Sequence, residues 1–185
     1  FIRLAKQKLE SRPDLTVIAI TGSYGKTSTK FMIRDLLSER FSVCSTPGSY
    51  NTPMGICKVI NEDLEAHHQI LVLEMGARYE GNIDKLCDIA EPDISVITNI
   101  GIAHLETFGA RTKSTLIKRT RKNGTVVLNA DDDRVAAMAD LRDDLTIVSV
   151  GLDKGDIRAS DIQYNQKGMR FTATVNGESE AFTTK

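Results

Sequence analysis

The sequence predicts an α/β fold: a mostly parallel sheet with helices on both faces, plus a small antiparallel β subdomain at the C-terminal end. Three observations predict it. Apolar runs such as Ile70-Leu71-Val72-Leu73 proceed without alternation, as strands buried on both faces do. Segments of helical spacing separate these runs, so the order reads β-α-β, which requires crossover connections. From Asp156 onward the texture changes, with Met169, Phe171, Ala173 and Val175 alternating with polar residues and Asn176-Gly177 supplying a hairpin turn.

Taken in order, residues 1–12 carry Phe1, Leu4, Ala5 and Leu9 at helical spacing, and Pro13 stops the pattern. Val17-Ile18-Ala19-Ile20 is a buried strand, followed by a turn and a helix over 29–40 that presents Phe31, Met32, Leu36 and Leu37. A short strand over 41–45 leads into Thr46-Pro47-Gly48-Ser49-Tyr50-Asn51-Thr52-Pro53, a loop rich in turn formers that is free to touch a ligand. A helix over 54–61, a strand over 69–74, a helix over 82–90 and a strand over 93–98 follow. Strands over 125–129 and 145–150 enclose a helix over 132–141. The chain divides into an entry helix and linker at 1–15, a core at 16–155, and a small antiparallel sheet of the same domain at 156–185.

At 185 residues the chain suits one α/β domain with a real core, not two full domains. Lysine and arginine number 24 against 25 acids, so a net charge of -1 gives no electrostatic reason to expect nucleic acid or an anionic membrane as partner. Cys44, Cys57 and Cys87 form neither an even disulfide framework nor a C-x-x-C pair; they read as reduced cysteines of a cytoplasmic protein. No apolar run approaches the roughly 18 residues needed to cross a bilayer.

The stretch from Val17 to Ser28 carries the chemistry. Gly22 and Gly25 let the backbone turn sharply and aim N–H groups at an anion, and the following helix start adds positive field. Lys26 is placed to neutralise β- and γ-phosphate charge, and the Thr27 hydroxyl to ligate Mg²⁺. The nucleotide-binding candidates are therefore Gly22, Ser23, Tyr24, Gly25, Lys26, Thr27 and Ser28. Ile20 occupies the position five before Gly25 where the consensus loop has glycine, so strand-loop-helix context carries the reading as much as the triplet.

Ligands of open α/β sheets gather beyond the carboxyl ends of the strands, where Glu74, Asn99 and His104 also fall. Glu74 closes an otherwise apolar strand, where an unpaired carboxylate is costly. Mg²⁺ held between Glu74 and Thr27 removes that cost; a carboxylate facing water or an arginine is the alternative. A lone His104 argues only weakly for metal. The basic run Lys113, Lys118, Arg119, Arg121 and Lys122 reads as a solvated helix face.

Several motifs together resemble the central, ATP-binding domain of the Mur ligases, which build the peptide stem of cell-wall precursors. They are Thr21-Gly22-Ser23-Tyr24-Gly25-Lys26-Thr27, Leu73-Glu74-Met75-Gly76-Ala77, Ile97-Thr98-Asn99-Ile100-Gly101, Ala103-His104-Leu105-Glu106 with Phe108-Gly109, and Leu128-Asn129-Ala130-Asp131-Asp132. Within the family, the E-M-G-A and A-H-L-E-x-F-G forms are most similar to members that add D-Ala-D-Ala to UDP-MurNAc-tripeptide. The resemblance implies that ATP phosphorylates the substrate carboxylate and an amine then displaces phosphate from the acyl phosphate. It also implies one or two Mg²⁺ ions on Thr27, Glu74 and His104, and a lysine carbamylated by CO₂ as an anionic ligand. The UDP-linked muramoyl peptide would meet Asn51 and Thr52, and adenine would lie near Asn129. Flanking N- and C-terminal domains would complete the enzyme, and the isolated piece would not ligate.

The carbamylated lysine is placed two ways. Counting back from Gly124, Thr112-Lys113-Ser114-Thr115-Leu116-Ile117 falls on the family's lysine segment and nominates Lys113, whereas counting forward from Phe108-Gly109 nominates Lys118. The flanking residues favour Lys113. Tyr24 stands where an asparagine is common, and Tyr50-Asn51-Thr52-Pro53 differs from the usual asparagine-rich loop.

Overall fold

Every residue of β1 (Thr16–Thr21) after the first is buried, and the rest of the fold is arranged on its two sides. The computed structural model describes residues 1–77, 79–101, 106–166 and 168–184, with side chains at all of these except 106–108. Parallel partners flank β1: β3 (Ile70–Glu74) on one side and β4 (Ile94–Ile97) on the other. Beyond β3 lies β2 (Val43–Ser45), and beyond β4 lie β5 (Thr125–Asn129) and β6 (Thr146–Gly151). The sheet continues through β7 (Ile157–Asn165), β8 (Gly168–Val175) and β9 (Glu178–Thr184), giving nine strands in the order β2-β3-β1-β4-β5-β6-β7-β8-β9.

Because successive side chains of a strand point to opposite faces, the unbroken apolar run of β1 feeds two cores at once. Val17 and Ala19 join Leu71, Leu73 and Met75 under the helices α1 (Ile2–Glu10), α3 (Pro53–Lys58) and α4 (Asn82–Cys87). Ile18 and Ile20 join Val72 and Val96 on the other face, against Ile33 and Leu37 of α2 (Lys26–Ser38). A third cluster, Ile97, Ile100, Ile117, Val126, Leu128, Val135 and Met138, lies under α5 (Glu106–Lys118) and α6 (Asp133–Ala136). Full burial of a leucine such as Leu73 contributes about 1.5–3 kcal/mol.

The chain leaves β1 through α2 toward β2, and leaves β4 through α5 toward β5. Adjacent strands whose connections depart in opposite directions open a crevice at their carboxyl ends, the usual ligand position in such sheets. The glycine-bearing loop after β1 lies at that crevice.

Several expected elements take a different form in the fold. The helix after the loop begins at Lys26, three residues earlier than its apolar spacing indicates, and its sheet-facing stripe is Lys30, Ile33 and Leu37. Met32 and Leu36 face solvent, because a 100° advance per residue carries them to the outer side. The helix expected over 132–141 breaks into α6 and a short 3₁₀ turn, Ala139–Leu141. After α3, whose cap is Thr52, the chain widens into a π-turn at Val59–Asp63.

The antiparallel tail is present, and it is hydrogen-bonded into the main sheet. β7 runs parallel to the end of β6, with Val150 opposite Ile157. The intervening turn is held by Asp131, whose carboxylate accepts the N–H groups of Leu152 (2.5 Å), Asp153 (3.2 Å) and Lys154 (3.0 Å). These bonds, Leu152 foremost, lower its pKa from the ordinary carboxylate value. The β8–β9 turn is Asn176-Gly177, both at positive φ (51° and 85°), as a two-residue hairpin of this twist requires.

Candidate active site

Gly22 and Gly25 do different work in the loop that joins β1 to α2. A Cβ on Gly22 would stand 1.9 Å from Thr98 Oγ1, so this glycine lets the segment after β4 approach the loop. Gly25 has open space around it but a φ of +76°, the left-handed conformation from which α2 starts. Lys26 folds back over the loop and donates to the carbonyls of Gly22 (2.9 Å) and Ser23 (3.3 Å). Tyr24 is exposed and Ser28 faces solvent on the first turn of α2.

The segment after β4 clamps this loop. Asn99 accepts from Tyr24 N–H at 2.9 Å and donates to Tyr24 C=O at 3.1 Å, so one amide side chain fixes both polar groups of one peptide residue. The Thr98 hydroxyl also donates to Tyr24 C=O (2.8 Å), and Ser23 Oγ accepts from Gly101 N–H (2.7 Å). Gly101 has no room for a Cβ, which would fall 2.7 Å from the Tyr24 ring. One strand further along, Asn129 donates to Thr98 C=O (2.8 Å) and accepts from Asp131 N–H (3.0 Å). Asp132 accepts from Ile100 N–H (2.8 Å) while capping α6.

Glu74 is the hub on the other side of the loop. It is buried at the end of β3, with Lys30 rather than an arginine as its cationic neighbour. Oε2 accepts from the Thr27 hydroxyl (2.7 Å) and stands 3.6 Å from Lys30 Nζ; Oε1 accepts from the Asn51 amide (3.0 Å). Asn51 packs so closely on Gly76 that a Cβ there would lie 2.7 Å from Asn51 Cγ. The Glu74-Met75-Gly76 sequence thus has a physical reading: a carboxylate for the site, a core methionine, and a gap for the amide that holds the carboxylate. Thr52 turns its hydroxyl to Gly55 N–H (3.3 Å) as the cap of α3.

Lys30, and not the Phe31-Met32 pair that follows it, is the fully buried residue of α2. It is 0% exposed, donates to Gly48 C=O, and lies over the Phe31 ring at 4.4 Å. Burial lowers its pKa, and the Glu74 charge opposes that shift. Its spacing from Ile33 and Leu37 marks it as a charge on an apolar stripe, which is the signal that could have found it.

Lys113 departs from the solvated face expected for the basic run. It is buried on the sheet-facing side of α5 with Thr112 and Leu116, and burial, with the Lys26 charge adding, lowers its pKa. Lys118 is exposed. Arg119 pairs with Asp84 (3.3 Å) and Asp88 (2.5 Å), and Arg121 with Asp93 (3.0 Å). The expected ligand His104 lies outside the described residues.

The family Mur ligase middle domain matches residues 20–185. The chain belongs to the Mur ligase family. This middle domain is 42% identical over 167 residues to the UDP-N-acetylmuramoyl-tripeptide--D-alanyl-D-alanine ligase of Mycobacterium tuberculosis, an alignment covering 85% of this chain and 32% of that protein. The solved UDP-N-acetylmuramoylalanyl-D-glutamyl-2,6-diaminopimelate--D-alanyl-D-alanyl ligase of Acinetobacter baumannii is 30% identical, with a TM-score of 0.89 over 98% of this chain and 41% of that one. MurF ligase of Thermotoga maritima, solved in complex with ADP, is 31% identical with a TM-score of 0.86 over 98% of this chain and 43% of that one. The Mur ligase domain therefore spans about a third of the length of the curated relatives it matches.

Of the residues expected to act together, the structure gathers Thr27, Glu74 and Asn51 in one hydrogen-bonded group and sets Lys26 across the same loop. Among the described residues of this Mur ligase domain, no three carboxylate, imidazole or thiol groups gather into a metal cage. The hard oxygens of Glu74 and Thr27 suit Mg²⁺, which commonly takes one or two carboxylates from protein and the rest from phosphates and water. No helix among the described residues is long and apolar enough to cross a membrane.

Proposed function

We propose that this chain is the ATP-binding middle domain of a cytoplasmic ligase that joins D-Ala-D-Ala to UDP-MurNAc-tripeptide through an acyl phosphate. The observation that carries the reading is the meeting of the Thr27 hydroxyl with the buried Glu74 carboxylate, beside a lysine-bearing loop whose backbone is fixed by Asn99. The names of relatives 42% and 44% identical support the choice of substrates.

The main barrier is electrostatic, since a carboxylate must attack a polyanion. Lys26, at the start of α2, is assigned to the β- and γ-phosphates, exchanging the loop carbonyls it now holds for charge-assisted bonds. The Gly22-Ser23-Tyr24-Gly25 backbone and the first turn of α2 supply N–H donors to the same anion. Thr27 and Glu74 would hold Mg²⁺, with His104 assigned to a second ion; bound Mg²⁺ screens phosphate charge and orients the transferring group. Asn129 is assigned to the wall the adenine would meet. The loop bearing Asn51 and Thr52 is assigned to the UDP-muramoyl substrate, with Asn51 linking that loop to Glu74.

Lys113 is the better candidate for carbamylation. Reaction with CO₂ needs the neutral amine, which attacks carbon and releases a proton to leave an anionic carbamate. Burial and the nearby Lys26 charge favour that neutral form, whereas Lys118 lies exposed on the outer side of α5. A carbamate there would exchange repulsion of Lys26 for attraction.

The test is phosphate release by the full-length protein carrying this chain. Release should require ATP, Mg²⁺, the acyl acceptor and the amine together, and the 185-residue piece should not turn over alone. Release that ignores both acceptor and amine would sink the ligase reading. Lys113→Ala should lose activity and regain part of it with added bicarbonate or a short carboxylate, and mass spectrometry of the parent should find an adduct of about 44 Da, the mass of CO₂, on Lys113 itself.

A further inference from the structure

Lys30 has no task in the scheme above, yet it is the most deeply buried charge beside the site. Its Nζ is 3.6 Å from Glu74 Oε2, the same oxygen that accepts the Thr27 hydroxyl at 2.7 Å. A second bond, to Gly48 C=O, and the Phe31 ring at 4.4 Å keep the ammonium from swinging away. With the Asn51 amide on Oε1 at 3.0 Å, Glu74 is surrounded by donors of the protein, one of them a full positive charge.

A cation held by Thr27 and Glu74 would therefore share Oε2 with an ammonium that cannot leave. Unlike an exposed pair, this one has little water or salt to screen it, so repulsion between a divalent ion and Lys30 is large compared with thermal energy even at an effective dielectric of about 20. Phosphate oxygens reverse the balance by bringing negative charge to the same place.

We propose that Lys30 is a built-in counter-ion that keeps Glu74 from taking up a free divalent cation, so that metal enters the site together with the nucleotide's phosphates. This rests on the assignment of Glu74 and Thr27 to the metal. It differs in sign from a purely orienting role: if Lys30 only held Glu74 in place, its removal would weaken metal binding, whereas a counter-ion's removal strengthens it.

The experiment is Mn²⁺ binding by the full-length protein, followed by electron paramagnetic resonance without nucleotide and then with ADP. Lys30→Met and Lys30→Gln should bind free Mn²⁺ about tenfold or more tightly than the parent, with a smaller gain when ADP is present, while Lys30→Arg stays near the parent. Unchanged or weaker free-metal binding in both neutral variants would overturn the inference and leave the ligase assignment intact. Failure of both to fold would also overturn it, by making the ion pair purely structural. A parent protein that binds no nucleotide with Mn²⁺ would instead remove the assignment of the site, and this inference with it.

Discussion

β3 and β9 lie in one hydrogen-bonded sheet, yet all of β3 is buried while β9 is exposed along all but its last residue. β3 is apolar on both sides because helices cover both faces, and its one charged residue, Glu74, has a partner for each carboxylate oxygen. β9 alternates little and relies on its ladder with β8 and on the Phe171–Phe182 stack, with ring centroids 5.5 Å apart. The buried half can hold charges in fixed geometry because water is kept out. The exposed half cannot, and none of the expected site residues falls in it.

The largest test of that contrast is Leu73→Ala, which should cost about 2–5 kcal/mol of stability in denaturant unfolding, since β3 has packed atoms on both sides. Next comes Lys26→Ala, expected to lose about 2–4 kcal/mol of transition-state stabilisation, read as a fall in kcat/KM of the full-length protein with little change in unfolding. Equal losses of stability in these two variants would break the comparison between scaffold and site.

Gly76→Ala sharpens it further. The added methyl meets the Asn51 amide at 2.7 Å, so a loss of about 1–3 kcal/mol in stability should come with weaker nucleotide binding, as Asn51 is pushed off Glu74. Phe182→Ala in the exposed half should cost only about 0.5–1.5 kcal/mol, the scale of a stacked aromatic pair, and leave nucleotide binding unchanged.

The last expected effect is a loss of stability confined to alkaline pH. Burial pushes the Cys44 thiol up to about 11 and the Cys87 thiol up to about 12 from the ordinary 9.0. Both therefore stay protonated in the folded protein where the unfolded chain ionises. Their contribution is fully present below the unfolded, ordinary thiol value of 9.0 and is lost as pH rises through 11 and 12. An unfolding series should show stability falling above that unfolded value, and thiol reagents at pH 8 should modify these residues only on unfolding.

The parallel half was legible because its strands are unbroken apolar runs and its loop glycines sit between a strand and a helix. Strands at 70–74 and 125–129 emerge within a residue of expectation. The pairing of β7 with β6 was not legible, since it depends on backbone N–H groups converging on Asp131 from across the turn. Lys30 escaped for a different reason: lysine on a helix is ordinarily solvated, and only the position of Glu74 on the neighbouring strand makes burial tolerable. Within the basic run, composition alone points Lys113 to solvent, and only the side of α5 it occupies shows its burial. Asn99 stood out by position, but its work on Tyr24 is a three-dimensional fact.

Asn99 holds both the N–H and the C=O of Tyr24, and Thr98 adds a second grip on that carbonyl. A loop secured at its tip from a neighbouring strand has little freedom left to surrender on meeting an anion. Discrimination among anions then falls to how quickly each escapes, since every arrival finds the same pre-set cradle.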